Sequence, residues 1–599
     1  MTEPTRPIRQ PTVDADGSLV ARSVVTPKAF KVRAKVTVGS RRVIPVIFVP
    51  GIMGSNLRVR VDADAKRDDS RTELPSTGRP GKGAADRANN DYAKDKTDLT
   101  QPGAPAWRPP NGYIDGLFEA FAWKQRKPDL RQKILHPSSL EVDDDGELGD
   151  APPGLSQEEM RARGWGEVHQ DSYGAVLIEL QKYLDTTFRL NVRREREIRD
   201  HWKRVMQCDP ARWGVRKIAR ITESELEHYA AFQYPVYAVG YNWLESCAAS
   251  AQRLSQRIDE IKHFWNSRKH ECERVIIVTH SMGGLVARAC ARSRAKDRDD
   301  PADIAGIIHG VMPALGAPVA YRRIAGGTEG ERYSNGFIDN LKANRFVDIA
   351  GTTPEQTTAV MATSPGVLEL LPNHLYPRPW LLVKTLSRVN NEDKEQQVLA
   401  LPAGDPYEMY RDTESWYRVI NPHLADPAGL FKNQPGGVAG VIRKAIDAAE
   451  HMHREILTVA ESEEKGTAGS PYYHPNTYAF YGSDADRRAY GTVSWAARVP
   501  PANGTALTSA NTANARPAGY TPKGGREVVI EGRTKLRFHM WGQDAPGDDT
   551  VPRQSASGVD QHVRATFAAT GFGHQECFTN GAMLLLTRHL IVKIVQGIK

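Results

Sequence analysis

VIIVTHSMGGLVAR, residues 275–288, decides how the rest of this 599-residue chain is read. Val275 to Val278 have the length and β-branching of a buried strand, and the residues from Gly284 onward compose a helix. Ser281 falls in the tight turn between them, an arrangement that lifts a serine hydroxyl on a strained strand-to-helix corner and makes it a candidate nucleophile. Neighbouring backbones nearly touch at such a corner, so the positions two before and two after the serine need to be small. Gly283 meets that demand. Thr279 departs from it, because glycine is usual there and a β-branched side chain has to be accommodated.

Working outward, Val236–Val239 reads as a strand and Ser250–Trp265 as a helix before the corner, and Ile304–Val311 reads as a strand after it. Strand, helix, strand, tight turn and helix describe a parallel α/β unit. Upstream, Val43–Val49 ends in Pro50-Gly51 and forms the first core strand. Downstream strands are expected at Thr477–Tyr481, Leu536–Trp541 and Val563–Ala568, with a last helix from Phe578 to Ile598. The segment 164–186 has helical spacing, 187–232 reads as exposed helices, and 320–470 reads as helical or irregular insertions. Residues 500–525, poor in large apolar side chains, read as a mobile loop. The expected layout is an N-terminal arm (1–42) and a first core part (43–320) with insertions at 61–163 and 187–232. A mainly helical cap or lid (321–475) and a second core part (476–599) follow. The fold class is α/β, a mostly parallel doubly wound sheet of the α/β-hydrolase kind with large cap insertions.

A serine hydroxyl is a weak nucleophile, so it needs an imidazole base, and the imidazole needs a carboxylate to orient it. In this architecture the chain order is serine, acid, histidine. Gly547-Asp548-Asp549-Thr550-Val551-Pro552 follows a strand candidate and supplies the acid, with Asp548 chosen and Asp549 the alternative. His574 lies between the last strand and the last helix, where the base belongs. His562 precedes that strand, His589 lies inside the helix, and His280 packs behind the corner. The oxyanion of an attacked ester needs preorganised N–H donors. The backbone of Met282 should give one, and the loop after the first core strand another, with Ile52 first and Met53 next.

The composition, 40% apolar and 25% charged, is that of a soluble globular protein. The net charge of +8 suits an anionic partner such as a phospholipid surface. No arginine-rich helix, zinc-finger spacing or RNA-binding aromatic signature is present, so nucleic acid is not expected as a partner. The five cysteines are scattered and read as reduced thiols, not as a metal site or disulfide framework. No cofactor is required by the expected chemistry. The Asp runs at 143–145 and 548–549 could hold calcium, although solvated turns are the commoner outcome. The first residues, MTEPTRPIRQPTVDADG, carry no apolar stretch of a Sec-type signal, and no run of 18 apolar residues occurs, so membrane contact is expected to be peripheral.

Seven segments occur in a consistent order over residues 43–599: VIFVPGIMGSNL (46–57), YAVGYNWLES (237–246), VIIVTHSMGGLVAR (275–288), HGVMPALGAPVAY (309–321), SPGVLELLP (364–372), GDDTVP (547–552) and GFGHQECF (571–578). On these the chain resembles the lecithin:cholesterol acyltransferase-like and PGAP-like lipases. More closely it resembles the third family of type VI secretion lipase effectors, antibacterial phospholipases. The resemblance implies hydrolysis of glycerophospholipid acyl esters, with the first Asp of GDDTVP as the triad acid. It also implies synthesis in a bacterial cytoplasm, delivery by a type VI machine with a spike or adaptor protein, action in a target-cell periplasm, and a cognate immunity protein. Two further readings share these residues: a housekeeping esterase or acyltransferase on a soluble or lipid ester, and a non-enzymatic binding protein on a hydrolase fold.

Overall fold

Strands that are apolar on both sides need cover on both faces, and the apolar runs of this sequence find it in a parallel sheet between two layers of helices. The computed structural model describes residues 12–13, 19–20, 40–61, 99–109, 123, 125–191, 195–297, 303–328, 351–389, 392–459, 469–499, 507–521, 524–530 and 534–598. Its framework runs β1 (Val46–Val49), α1 (Gln170–Leu184), β2 (Val236–Ala238), α2 (Cys247–Ser267), β3 (Val275–His280), α3 (Gly283–Asp297) and β4 (Ile304–Gly310). After these come β5 (Leu381–Val389), β6 (Glu392–Leu401), β7 (Thr477–Gly482), β8 (Val493–Arg498), β9 (Arg516–Tyr520), β10 (Arg526–Ile530), β11 (Thr534–Met540), β12 (Ala565–Ala569) and α4 (Gly581–Val595).

The central sheet has the order β12–β7–β4–β3–β1–β2, and every neighbouring pair is parallel. The strand that leads into Ser281, β3, thus lies inside the sheet with β1 on one side and β4 on the other. Alternation along the strands sorts the side chains between two cores. Ile47, Val49, Val275 and Ile277 join Leu254 and Ile258 of α2 and Leu285 of α3. Val46, Phe48, Ile276 and Val278 join Leu177 and Leu180 of α1 and Leu586 and Leu590 of α4. The helix starts are set by side-chain caps: Ser246 accepts from the Ala249 N–H before α2, and Asn580 accepts from the N–H groups of Ala582 and Met583 before α4.

A second six-stranded sheet, ordered β6–β5–β8–β11–β10–β9, adds to the mainly helical cap a feature the sequence reading lacked. Its pairs are antiparallel except β5 with β8. Helices such as Pro354–Met361 and Gly437–His451 do occupy the 321–475 segment, but so do β5 and β6. The other four strands come from 493–540, inside the segment assigned to the second core part, so the 475/476 boundary does not separate cap from core. Leu536–Trp541 is a strand, as expected, but it belongs to this second sheet. The misreading has a physical source: β6, EDKEQQVLAL, is rich in good helix formers, and only its pairing with β5 makes it a strand. Buried Val383, Trp495, Val528 and Phe538 fuse this sheet with the core on the α2–α3 side. Trp416 stacks on Phe538 at 4.6 Å, and Trp495 Nε1 donates to the Tyr321 hydroxyl at 2.9 Å.

Two smaller expectations also change. Within 500–525, Ser509–Ala513 is a helix and Arg516–Tyr520 is β9; Thr508 and Asn511 cap that helix reciprocally, which replaces the expected mobile loop. Within 187–232, a hairpin joins Phe188–Leu190 to Arg196–Ile198, and the helices that follow bury Trp202, Val205, Leu226 and Tyr229, so this segment is not an exposed helical array. Nearly all of the N-terminal arm and of residues 62–98 lie outside the described residues. Among the described residues no helix is long and apolar enough to cross a membrane.

Because Trp495 is fully buried where the second sheet meets the core, Trp495→Ala is expected to cost about 3–5 kcal/mol. A thermal midpoint within one degree of wild type would contradict this placement.

Candidate active site

The corner read from sequence is present and strained. Ser281 has φ +51°, a left-handed conformation that a non-glycine residue adopts only when its surroundings enforce it. Its N–H donates to the Gly310 carbonyl of β4 at 2.9 Å, and its carbonyl accepts from the Gly284 N–H at 2.9 Å. A Cβ on Gly283 would stand 2.4 Å from the Pro50 carbonyl oxygen and 2.6 Å from that of Val49, which is why this position is glycine. Thr279, the departure from the usual pattern, is fully buried opposite His309 in the β3–β4 register, and its hydroxyl bonds His309 Nδ1 at 2.9 Å. The space that a glycine leaves in this position is used here by a cross-strand polar pair.

Ser281, Asp548 and His574 come together although 267 residues separate the first two. His574 Nε2 lies 2.8 Å from Ser281 Oγ, and His574 Nδ1 lies 2.9 Å from Asp548 Oδ2. A carboxylate accepts from Nδ1–H, so Nε2 is the ring nitrogen left to accept the serine proton. Asp548 is 1% exposed, and its other oxygen accepts from the N–H groups of Thr550 at 3.1 Å and Val551 at 2.7 Å. The His574 N–H in turn donates to the Asp548 carbonyl at 2.7 Å.

The two acid candidates are separated by backbone conformation. Asp549, at φ +74°, turns its carboxylate to Arg487 at 2.9 Å instead of to the imidazole. Burial pushes the Asp549 carboxyl up to about 6, with Arg487 pulling the other way. The chain reaches Asp548 through an excursion that leaves β7 at Gly482 and returns where Ala545–Gly547 pairs antiparallel with Asp484–Ala489. A Cβ on Gly482 would lie 2.5 Å from Asp548 Cβ, so the acid sits against the end of core strand β7.

The loop after β1 is pinned from several directions. Tyr241 Oη donates to the Pro50 carbonyl at 3.0 Å, the Gly51 N–H donates to Tyr173 Oη at 3.0 Å, and Trp107 Nε1 donates to the Met53 carbonyl at 2.8 Å. The Gly54 N–H closes a turn on the Gly51 carbonyl, with Met53 at φ +60°. Among the described residues the N–H groups of Ile52 and Met282 have no acceptor. The Met53 N–H has none either, so all three candidate oxyanion donors are uncommitted.

His280 does more than pack behind the corner. Burial holds its imidazole far below the usual range, down to about 3, with His574 nearby adding to the effect. Its Nε2 lies 3.0 Å from the His574 carbonyl, and its Nδ1 lies 2.9 Å from the Tyr173 hydroxyl. Tyr173, Tyr241, Trp107 and Gly482 were not singled out from sequence; Tyr173 shows there only as one apolar position of an amphipathic helix.

The two Asp runs are engaged by cationic or imidazole side chains. Asp143, Asp144 and Asp145 cluster closely, but Arg108 contacts Asp143, Arg58 lies 2.8 Å from Asp144, and Arg161 lies 3.7 Å from Asp145. Asp548 and Asp549 face His574 and Arg487. The four arginines supply the positive charge that a cation would bring, and the Asp548 oxygens are taken up by His574 and the N–H groups of Thr550 and Val551, so the donor sets fit calcium poorly.

A PGAP1-like alpha/beta domain family matches residues 215–329, the stretch that carries β2, α2, β3, α3 and β4. Among solved structures, the crystal structure of a Tle4–Tli4 complex is 27% identical with a TM-score of 0.66, covering 92% of this chain and 98% of that one. Over nearly its whole length the chain is thus similar to Tle4. It is a serine ester hydrolase on the α/β-hydrolase fold, which sets aside the non-enzymatic reading. That neighbour is a Tle4, whereas the sequence motifs pointed to the third family of these lipases. Phospholipase PlaB from Legionella pneumophila matches at 11% identity over 51% of this chain and 72% of that one; its TM-score of 0.16 carries no argument. No curated protein matches.

Restoring the usual glycine by Thr279→Gly is expected to lower stability by roughly 2–4 kcal/mol, because it strands a buried His309 nitrogen and loosens a central strand. An unchanged or raised thermal midpoint would show that the Thr279–His309 pair contributes nothing.

Proposed function

We propose that this Tle4-type phospholipase effector cleaves acyl esters of membrane glycerophospholipids with Ser281 as nucleophile, His574 as base and Asp548 as the group that orients the base. The observation that carries the assignment is the continuous line from Ser281 Oγ to His574 Nε2 at 2.8 Å and from His574 Nδ1 to Asp548 Oδ2 at 2.9 Å. His574 takes the Ser281 proton as Oγ attacks the ester carbonyl, and the N–H groups of Met282 and Ile52 receive the oxyanion. The proton then passes from His574 to the departing alkoxide, releasing a lysophospholipid. Water, deprotonated by the same imidazole, frees the fatty acid and restores Ser281. Asp548 keeps Nδ1 protonated throughout. The proposed chemistry draws on side chains and backbone alone and calls for no cofactor.

The remaining parts of the reading follow from the kind of protein it resembles. The Tle4 structure contains Tli4 as partner, and by that analogy this chain has a cognate immunity protein. Delivery by a type VI machine through a spike or adaptor, and action on the periplasmic side of a target membrane, complete the proposal. The net charge of +8 favours peripheral attraction to an anionic lipid surface.

Incubation with phosphatidylethanolamine and phosphatidylglycerol vesicles is expected to release free fatty acid, and Ser281→Ala is expected to reduce that release by several powers of ten. Equal release by the two proteins would remove Ser281 from the reaction; hydrolysis restricted to short soluble esters would favour the esterase reading. Asp548→Asn is expected to lower kcat by about four powers of ten, as loss of the orienting carboxylate does elsewhere, while Asp549→Asn stays within about tenfold of wild type. Steady-state rates of the two variants decide between them, and the reverse order would make Asp549 the acid.

A further inference from the structure

His280 and Tyr173 are buried polar groups at the centre of the site that the proposed reaction does not use. The bonds between them fix their proton positions. The His574 carbonyl can only accept, so His280 Nε2 carries its hydrogen and donates to that carbonyl at 3.0 Å. Neutral His280 therefore presents Nδ1 as an acceptor, and the Tyr173 hydroxyl, 2.9 Å away, donates to it. With its proton so directed, Tyr173 Oη is free to accept, and it takes the Gly51 N–H at 3.0 Å. One unbroken chain thus runs from the turn after β1, through a helix of the opposite layer, to the corner and on to the loop that carries the base.

Shape reinforces this chain. The Tyr173 ring lies against Phe48 at 5.2 Å and against the His280 ring at 5.5 Å, and His280 lies 6.2 Å from Phe578. A Cβ on Gly51 would come within 2.8 Å of His280 Nδ1 and 3.0 Å of Ser281 Cβ, so the turn after β1 rests directly on the corner. By taking the Gly51 N–H, Tyr173 leaves the next two N–H groups along, those of Ile52 and Met53, as the uncommitted donors of this turn.

We propose that Tyr173 and His280 are positioning residues that hold the oxyanion turn and the His574 loop in mutual register, so that donor and base meet the same substrate atom set. The inference rests on the proposed use of Ser281 and His574. Neither Tyr173 nor His280 touches substrate; each acts through the backbone it holds. Displacement of such a turn by a fraction of an ångström weakens stabilisation of the transition state more than binding of the ground state.

Tyr173→Phe keeps the ring packing and removes both bonds of the phenol. Active sites are first counted by titration with a fluorophosphonate, so that misfolded protein does not enter the rate. Per titrated site, kcat on a short soluble ester is expected to fall about tenfold or more with KM within twofold, and inhibition by an alkyl boronic acid, which mimics the tetrahedral adduct, is expected to weaken by the same factor. His280→Gln, which retains a donor toward the His574 carbonyl, is expected to keep more of kcat than His280→Leu. A kcat per site within twofold of wild type for Tyr173→Phe, or boronate affinity unchanged while kcat falls, would overturn the proposal. Failure of the underlying reading looks different: the wild-type protein would not be labelled by the fluorophosphonate, or Ser281→Ala would remain active.

Discussion

The close approach of β1 to the first turn of α3 is the constraint from which the site follows. The carbonyls of Val49 and Pro50 stand where a Cβ on residue 283 would be, so the corner closes only around a glycine. Ser281 is held at φ +51° by that packing and by its N–H bond to β4. Strain of this kind, of order 1–3 kcal/mol, persists only where the surrounding structure over-determines it, and here two flanking parallel strands do so. The same closeness carries the chain leaving β1 across the serine: a Cβ on Gly51 would stand 3.0 Å from Ser281 Cβ.

Given that fixed corner, the distant groups need only return to it. The chain leaves the end of β7 at Gly482, builds most of the second sheet, and comes back through the short pairing of Asp484–Ala489 with Ala545–Gly547. Asp548 is set by the neck of this excursion, not by its contents. Glycine at 482 allows the acid to lie against the strand end, and backbone N–H groups of Thr550 and Val551 hold its second oxygen. A large elaboration can therefore be inserted between core strand and acid without moving the acid. The apolar continuity through Trp495 and Phe538 ties that elaboration to the core.

The loop after β1 shows how a flexible sequence becomes a rigid turn. Pro50-Gly51-Ile52-Met53-Gly54 has no polar side chain, and besides the buried Met53 its fixed points are hydrogen bonds with Tyr173, Tyr241 and Trp107, contributed by three separate parts of the chain. Preorganised N–H groups stabilise an oxyanion without rearranging during the reaction, and large aromatic side chains, stiff and with one polar end, suit that task.

The sequence by itself determined the parallel sheet, the corner at Ser281, the order of serine, acid and histidine, and the loop that follows β1. These are local quantities: a run of β-branched residues, a glycine after a serine, an Asp in a turn after a strand. Only the tertiary structure shows which of Asp548 and Asp549 faces His574, since that depends on the left-handed backbone of Asp549 and on Arg487, 62 residues away. It alone explained Thr279, through a histidine on the neighbouring strand, and gave Tyr173 its place, 107 residues before His280. The second sheet escaped for the same reason. A charged strand such as β6 has good helix formers in it and becomes a strand only because β5 offers it a ladder, and hydrogen-bond partners far along the chain leave no trace in local periodicity.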